Sequence, residues 1–194
     1  RFLPFTDTFS IDWFSGLTDM PPSKLLGTIR FLEGQQWIAE REDQPGVYGW
    51  TRKFPREELT SRVDPSVWHL YCRAAADMLR RNLPGTAESL LRTARLCVQA
   101  GIREDDLEGI FLAALQEEEG HKISSAVELY DCLLEHIEAL AREAGGILPP
   151  ELGRIFVQTI ERRASLSLFH PNLKKINAFL STALDAAVAL ADSP

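Results

Sequence analysis

A chain of 194 residues is long enough for one large domain or two small ones. It can bury roughly 70% of its unfolded surface, so it needs no disulfide or metal staple. Hydrophobic residues make up 45% and charged residues 25%, an ordinary soluble composition, and no run approaches the roughly 18 apolar residues a membrane span requires. Asp and Glu number 28 against 21 Lys and Arg, a net charge of −7, which argues against a protein that coats nucleic acid.

The sequence starts at Arg1, with no basic-plus-apolar signal segment, as expected of a piece excised from a longer protein. Cys72, Cys97 and Cys132 each sit in an apolar helical pattern. An odd count so placed fits buried thiols in a reducing compartment, and the cytoplasm is the expected location.

Two composition regimes divide the chain. Residues 1–62 hold three of the four Trp and five of the eleven Pro, whereas the remainder is rich in Ala, Leu, Glu and Arg, all good helix formers. The break falls at Asp64-Pro65, which reads as an N-cap followed by Pro at the first helical position. The expected domains are therefore 1–62 and 63–194.

In the first part, Asp12, Trp13, Phe14 and Leu17 suit a short helix ending before Met20-Pro21-Pro22. Ser23 is the expected cap of a second helix, on which Leu25, Leu26, Ile29 and Leu32 form one apolar stripe, with Gly34 as its stop. Gln36–Glu40 alternates as a strand does, Glu42–Gly46 is a turn, and Val47–Thr51 reads as the returning strand. Helix, helix, strand, turn, strand is the order of a winged-helix module. Phe2, Phe5, Phe9, Trp13 and Phe14 are its expected core.

The second part reads as antiparallel helices at about 65–82, 86–100, 104–117, 122–144, 149–169 and 173–191, separated by Pro84-Gly85, Gly101, Gly120, Gly145-Gly146 and Pro171. Between 122 and 144, Ile123, Ala126, Val127, Tyr130, Leu133, Leu134, Ile137, Leu140, Ala141 and Ala144 recur every three or four residues. A divergent internal repeat runs through these helices. Aligning on Ala87 puts Leu91 and Ala94 four and seven later; aligning on Ala126 puts Tyr130 and Leu133 there. Tyr71, Ala74, Ala75 and Met78, and then Ile110, Ala113 and Ala114, fall on the preceding helices. Small residues at such positions let paired helices cross closely, as in tetratricopeptide (TPR) repeats. The spacing of 39 residues, not about 34, marks the divergence. The expected fold is mainly α: a small winged-helix-like N-terminal module followed by an antiparallel helical-hairpin, TPR-like array.

This order of parts resembles the winged-helix plus TPR-like region of signal-transduction ATPases, including regulators of the maltose-regulon-activator type. The resemblance lies in Leu25-Leu26-Gly27-Thr28-Ile29-Arg30-Phe31-Leu32-Glu33-Gly34-Gln35-Gln36-Trp37-Ile38, in Val47-Tyr48-Gly49-Trp50, in Glu57, Glu58 and Leu59, and in Trp68-His69-Leu70-Tyr71 with Ala74-Ala75-Ala76. It implies a helical arm that senses an inducer or a partner, and a winged helix that docks inside the parent protein. The family's phosphate loop, G-x-x-x-x-G-K-[ST], is absent from this sequence.

The expected role is therefore non-catalytic: protein interaction or inducer sensing within a larger bacterial signalling or transcription regulator, without a cofactor. Its partners would be an upstream domain of the parent chain, another signalling protein or a small inducer. On this register the recognition face of the first helices includes Tyr71, Ala75, Met78, Ile110, Ala114 and Glu117. The alternative, DNA binding, would use Lys24, Arg30, Arg52 and Lys53. Residues 1–62 carry 8 basic and 9 acidic residues, and Glu40, Glu42 and Asp43 near the wing would repel phosphate. A metal enzyme is disfavoured. Cys132 and His136, and His69 and Cys72, have ligand-like spacings, but the two pairs lie far apart in sequence. Glu117, Glu118, Glu119 and His121 read as a solvated corner. Arg162-Arg163 and Lys174-Lys175 read as solvated helix ends that are suited, less favourably, to an acidic partner or phosphate.

Overall fold

A computed structural model of the protein describes residues 8–14, 21–51, 63–83, 86–146, 148–168, 177 and 179–181. The described chain is mainly helical with a small antiparallel sheet, and falls into two compact units, Arg1–Pro84 and Gly85–Pro194. The compositional break at residue 62 lies outside the described residues, and the helix after it groups with the N-terminal unit. No described helix is long and apolar enough to cross a membrane.

The N-terminal unit opens with β1 (Thr8–Ser10) and a single 3-10 turn (Ile11–Phe14) where a short α-helix was expected. Helix α1 (Pro22–Gly34) follows, then β2 (Ile38–Arg41), β3 (Gln44–Trp50) and α2 (Pro65–Asn82). The strand order is β1-β3-β2, with both pairings antiparallel. β1 is a strand that sequence reading missed: three residues are too few to show alternation. Its Phe9 is fully buried and stacks on Tyr48 at 5.7 Å, and Ile29, Leu32 and Ile38 are buried in the same unit.

Local chemistry sets the ends of these elements. Ser23 is not a cap. Pro21 occupies the cap position and Pro22 the first turn, where the missing N–H has no helical partner to lose. Gly34 remains helical, and the left-handed residue that redirects the chain is Gln36, with φ 58°. The β2–β3 turn is shorter than expected, because Arg41 pairs with Gln44 across Glu42-Asp43. Pro45 and Gly46 (φ 79°) fall in a bulge between that pair and Glu40–Tyr48, where a residue lacking an N–H is tolerated. Asp64 caps α2 as expected, accepting from the Ser66 N–H at 2.9 Å.

The C-terminal unit holds α3 (Ala87–Ala100), α4 (Leu107–Glu119), α5 (Ile123–Glu143) and α6 (Pro150–Ser165). Each packs on the next. The expected breaks at Gly101 and Gly145-Gly146 hold, all three at positive φ, whereas at Gly120 the left-handed residue is the neighbouring His121. On α5, Ala126, Val127, Tyr130, Leu133, Leu134, Ile137 and Ala141 are buried along the expected stripe, while Ala144 is exposed. Of the alanines on which the repeat was aligned, Ala94, Ala114 and Ala126 are buried; the Ala87 side chain and most of the 173–191 segment lie outside the described residues.

Candidate functional site

The six residues of the expected recognition face lie on α2 and α4. Ala75, Met78, Ile110, Ala114 and Glu117 are all buried, and Tyr71 is half-buried. A small-residue register marks where helices touch each other, so it selects packing residues rather than surface available to a partner. The outward side of α4 is instead Glu108, Leu112 and Glu119, with Leu112 44% exposed, and on α6 Val157 is 59% exposed. Lys24 and Arg30 are exposed on α1, whereas Arg52 and Lys53 lie outside the described residues. Arg41 in the wing holds Asp43 in a two-pronged contact of 2.9 and 3.1 Å.

The largest departure from expectation is a charged network inside the C-terminal unit. Glu117 is 4% exposed and accepts from Lys122 Nζ at 3.0 Å. Next to it, Ser125 accepts from Arg95 at 2.9 Å, tying α3 to α5. Glu118 accepts from the Tyr130 hydroxyl at 2.8 Å and lies 3.6 Å from Arg162, linking α4 to α5 and to α6. Arg163 is 2% exposed, and its Nε donates to Asp131 at 2.8 Å, joining α6 to α5. Only Glu119 and His121 face solvent as expected.

Helix geometry explains the split. Neighbouring residues are about 100° apart, so within a charged run some must turn inward. Glu117 follows Ile110 and Ala114 by seven and three, and Arg163 follows Phe156 and Ile160 by seven and three. A charge in register with an apolar stripe is the sequence signal for this network. Treating the runs as uniformly solvated overlooked it.

Electrostatics in the network are set by burial and by partners. Burial pushes the Glu117 carboxyl up, but the Ser125 hydroxyl, Lys122 and Arg95 more than offset this and hold it below its ordinary 4.5. Burial, then the hydrogen bond to Glu118, raises the Tyr130 phenol, which therefore stays a donor at neutral pH. Because the folded Glu117 value is depressed, its stabilisation is complete above about pH 4.5 and is lost as pH falls through the folded value. Glu117→Gln is expected to lower the urea midpoint at neutral pH, with the gap to wild type closing on acidification; titrating the midpoint against pH checks this.

The remaining chemistry is sparse. Cys72 and Cys97 are buried and Cys132 is half-buried, and none is in a disulfide. Burial pushes the Cys72 thiol up to about 11, away from nucleophilic use. The Cys97 thiol lies 3.3 Å from the buried Asp106 carboxylate, which also accepts from the Arg103 N–H. No three His, Cys, Asp or Glu side chains among the described residues group as a metal site would require. The network itself offers paired charges and a protonated phenol without an open position between them, an arrangement that fixes helix register. No family model matches the chain, and no curated protein or solved structure is significantly similar to it.

Proposed function

We propose that the protein is a non-catalytic interaction region of a larger bacterial signalling or transcription regulator, with a winged-helix-like N-terminal part and a TPR-like helical array that recognises a protein partner or an inducer. The observation that carries this reading is the succession α3–α4–α5–α6, in which each helix packs on the next and Ala94, Ala114 and Ala126 are buried. Stacked helical hairpins bury one side of each helix and leave the other as an extended recognition surface. The order β1-β3-β2, with α1 leading into the β2–β3 hairpin, supports the winged-helix part. The recognition surface is placed on the outward side of α4 and α6, around Leu112 and Val157, because the residues of the repeat register are consumed by packing.

The test is cross-linking of the full chain in cells, comparing wild type with Leu112→Asp and Val157→Asp. A partner captured by wild type is expected to be lost from both variants, with far-UV circular dichroism unchanged. A partner retained by both variants overturns the placement. A specific electrophoretic shift of duplex DNA near 50 mM salt that is abolished by Lys24→Ala and Arg30→Ala would replace this reading with DNA recognition.

A further inference from the structure

The order β1-β3-β2 leaves β2 at an edge, and no described residue pairs with its outer side. The Thr51 N–H donates to the Trp37 carbonyl, so residues 37 and 39 direct their backbone groups toward β3. Alternation then turns the N–H and C=O groups of Ile38 and Glu40 outward, along the edge. A depression of about 520 Å³ lies at this place, lined by Glu33, Gln36, Ile38, Ala39, Glu40 and Thr51. Ile38 and Glu40 face one side of the sheet, while Ala39 faces the other. A hollow touching all three follows the strand edge and is not confined to one face.

The two sides of that edge differ in chemistry. Glu33 from α1 and Glu40 from β2 line one side; both carboxylates push the Tyr48 phenol up, after burial, which puts them on the Tyr48 side. Ala39 and Trp37, the latter 42% exposed, share the opposite parity and give the other side an apolar character. From the outward backbone groups and the paired carboxylates beside them, we infer that the β2 edge binds an extended peptide segment that adds a fourth strand to the sheet and alternates Lys or Arg with apolar residues. Main-chain hydrogen bonds would supply affinity, and side chains of alternating direction would supply specificity. An exposed edge is an aggregation hazard that proteins usually blunt. Here the carboxylates serve as that guard against neutral strands while attracting basic ones.

The probe is a fluorescein-labelled peptide of about eight residues alternating Lys and Val, titrated by anisotropy into the full chain, with two comparison peptides: Glu in place of Lys, and alternate backbone amides N-methylated. The Lys peptide is expected to bind saturably and at least about tenfold more tightly than the Glu peptide. N-methylation of the amides that pair with the edge abolishes binding, because it removes the donors without altering charge. The double variant Glu33→Lys, Glu40→Lys reverses the preference between the two peptides. Equal binding of the N-methylated peptide overturns strand addition even if the double variant fails to fold, and so does the absence of saturation with the Lys peptide. A folded double variant that still prefers the Lys peptide overturns the role of the two carboxylates.

Discussion

Asp131→Ala is expected to destabilise the C-terminal unit by about 3 kcal/mol, the low end for breaking a buried ion pair, because it strands the Arg163 guanidinium. The Arg163 side chain is 2% exposed and that of Asp131 20% exposed, with 2.8 Å between Nε and the carboxylate oxygen. A buried Lys or Glu can escape such a loss by neutralising, but Arg stays charged at any accessible pH. The penalty therefore appears in full, whereas the 20% exposure of Asp131 lets water reach that end and keeps the cost from the top of the range. Replacing both partners with apolar groups removes the stranded charge. Asp131→Leu with Arg163→Met is expected to lie within about 1 kcal/mol of wild type, since the desolvation penalty disappears together with the attraction. Urea unfolding of wild type, both single variants and the double variant closes the cycle. A single-variant cost under about 1 kcal/mol would show that Arg163 has compensating access to water.

The same pair shows what the sequence makes legible. Periodicity located α2 to α6 because apolar residues every three or four positions leave a strong signal, and the cap at Asp64-Pro65 and the left-handed Gly101 carry their own local chemistry. Short elements carry less. β1 pairs through three residues, and its place is set by Phe9 stacking on a strand some 40 positions later, which no local pattern encodes. Gln36 replaces glycine at a left-handed position, a choice hidden from any rule that looks for glycine. The candidate surface was hardest to read. Ala75, Met78, Ile110 and Ala114 were selected by the same smallness and periodicity that mark buried contacts, so the criterion found the core of the array in place of its face. Arg163 and Glu117 were hidden for the opposite reason: a charged side chain suggests solvent until its register with the apolar stripe is taken into account.

Ala126→Phe is expected to cost about 3 kcal/mol or more, the second large effect, and it bears directly on whether the helices stack through small residues. Ala126 sits in the first turn of α5 with no accessible surface, and Ala113 and Ala114 on the adjoining α4 are equally enclosed. A contact layer built from methyl groups lets two helix axes approach closely, and a ring placed there forces the axes apart or the side chain off its rotamer. The displacement cannot be absorbed locally, because Glu117, Lys122 and Ser125 tie the same turn to α4 and α3 through polar contacts of fixed length. Ala139→Phe, on the half-buried outward side of α5, supplies the comparison and is expected to stay within about 0.5 kcal/mol of wild type. Urea midpoints for the two variants, read by circular dichroism, separate the cases. Equal, small losses at both positions would mean that α4 and α5 are held apart by larger side chains and that the array lacks close crossings. A large loss confined to Ala126 is the result that nested hairpins require.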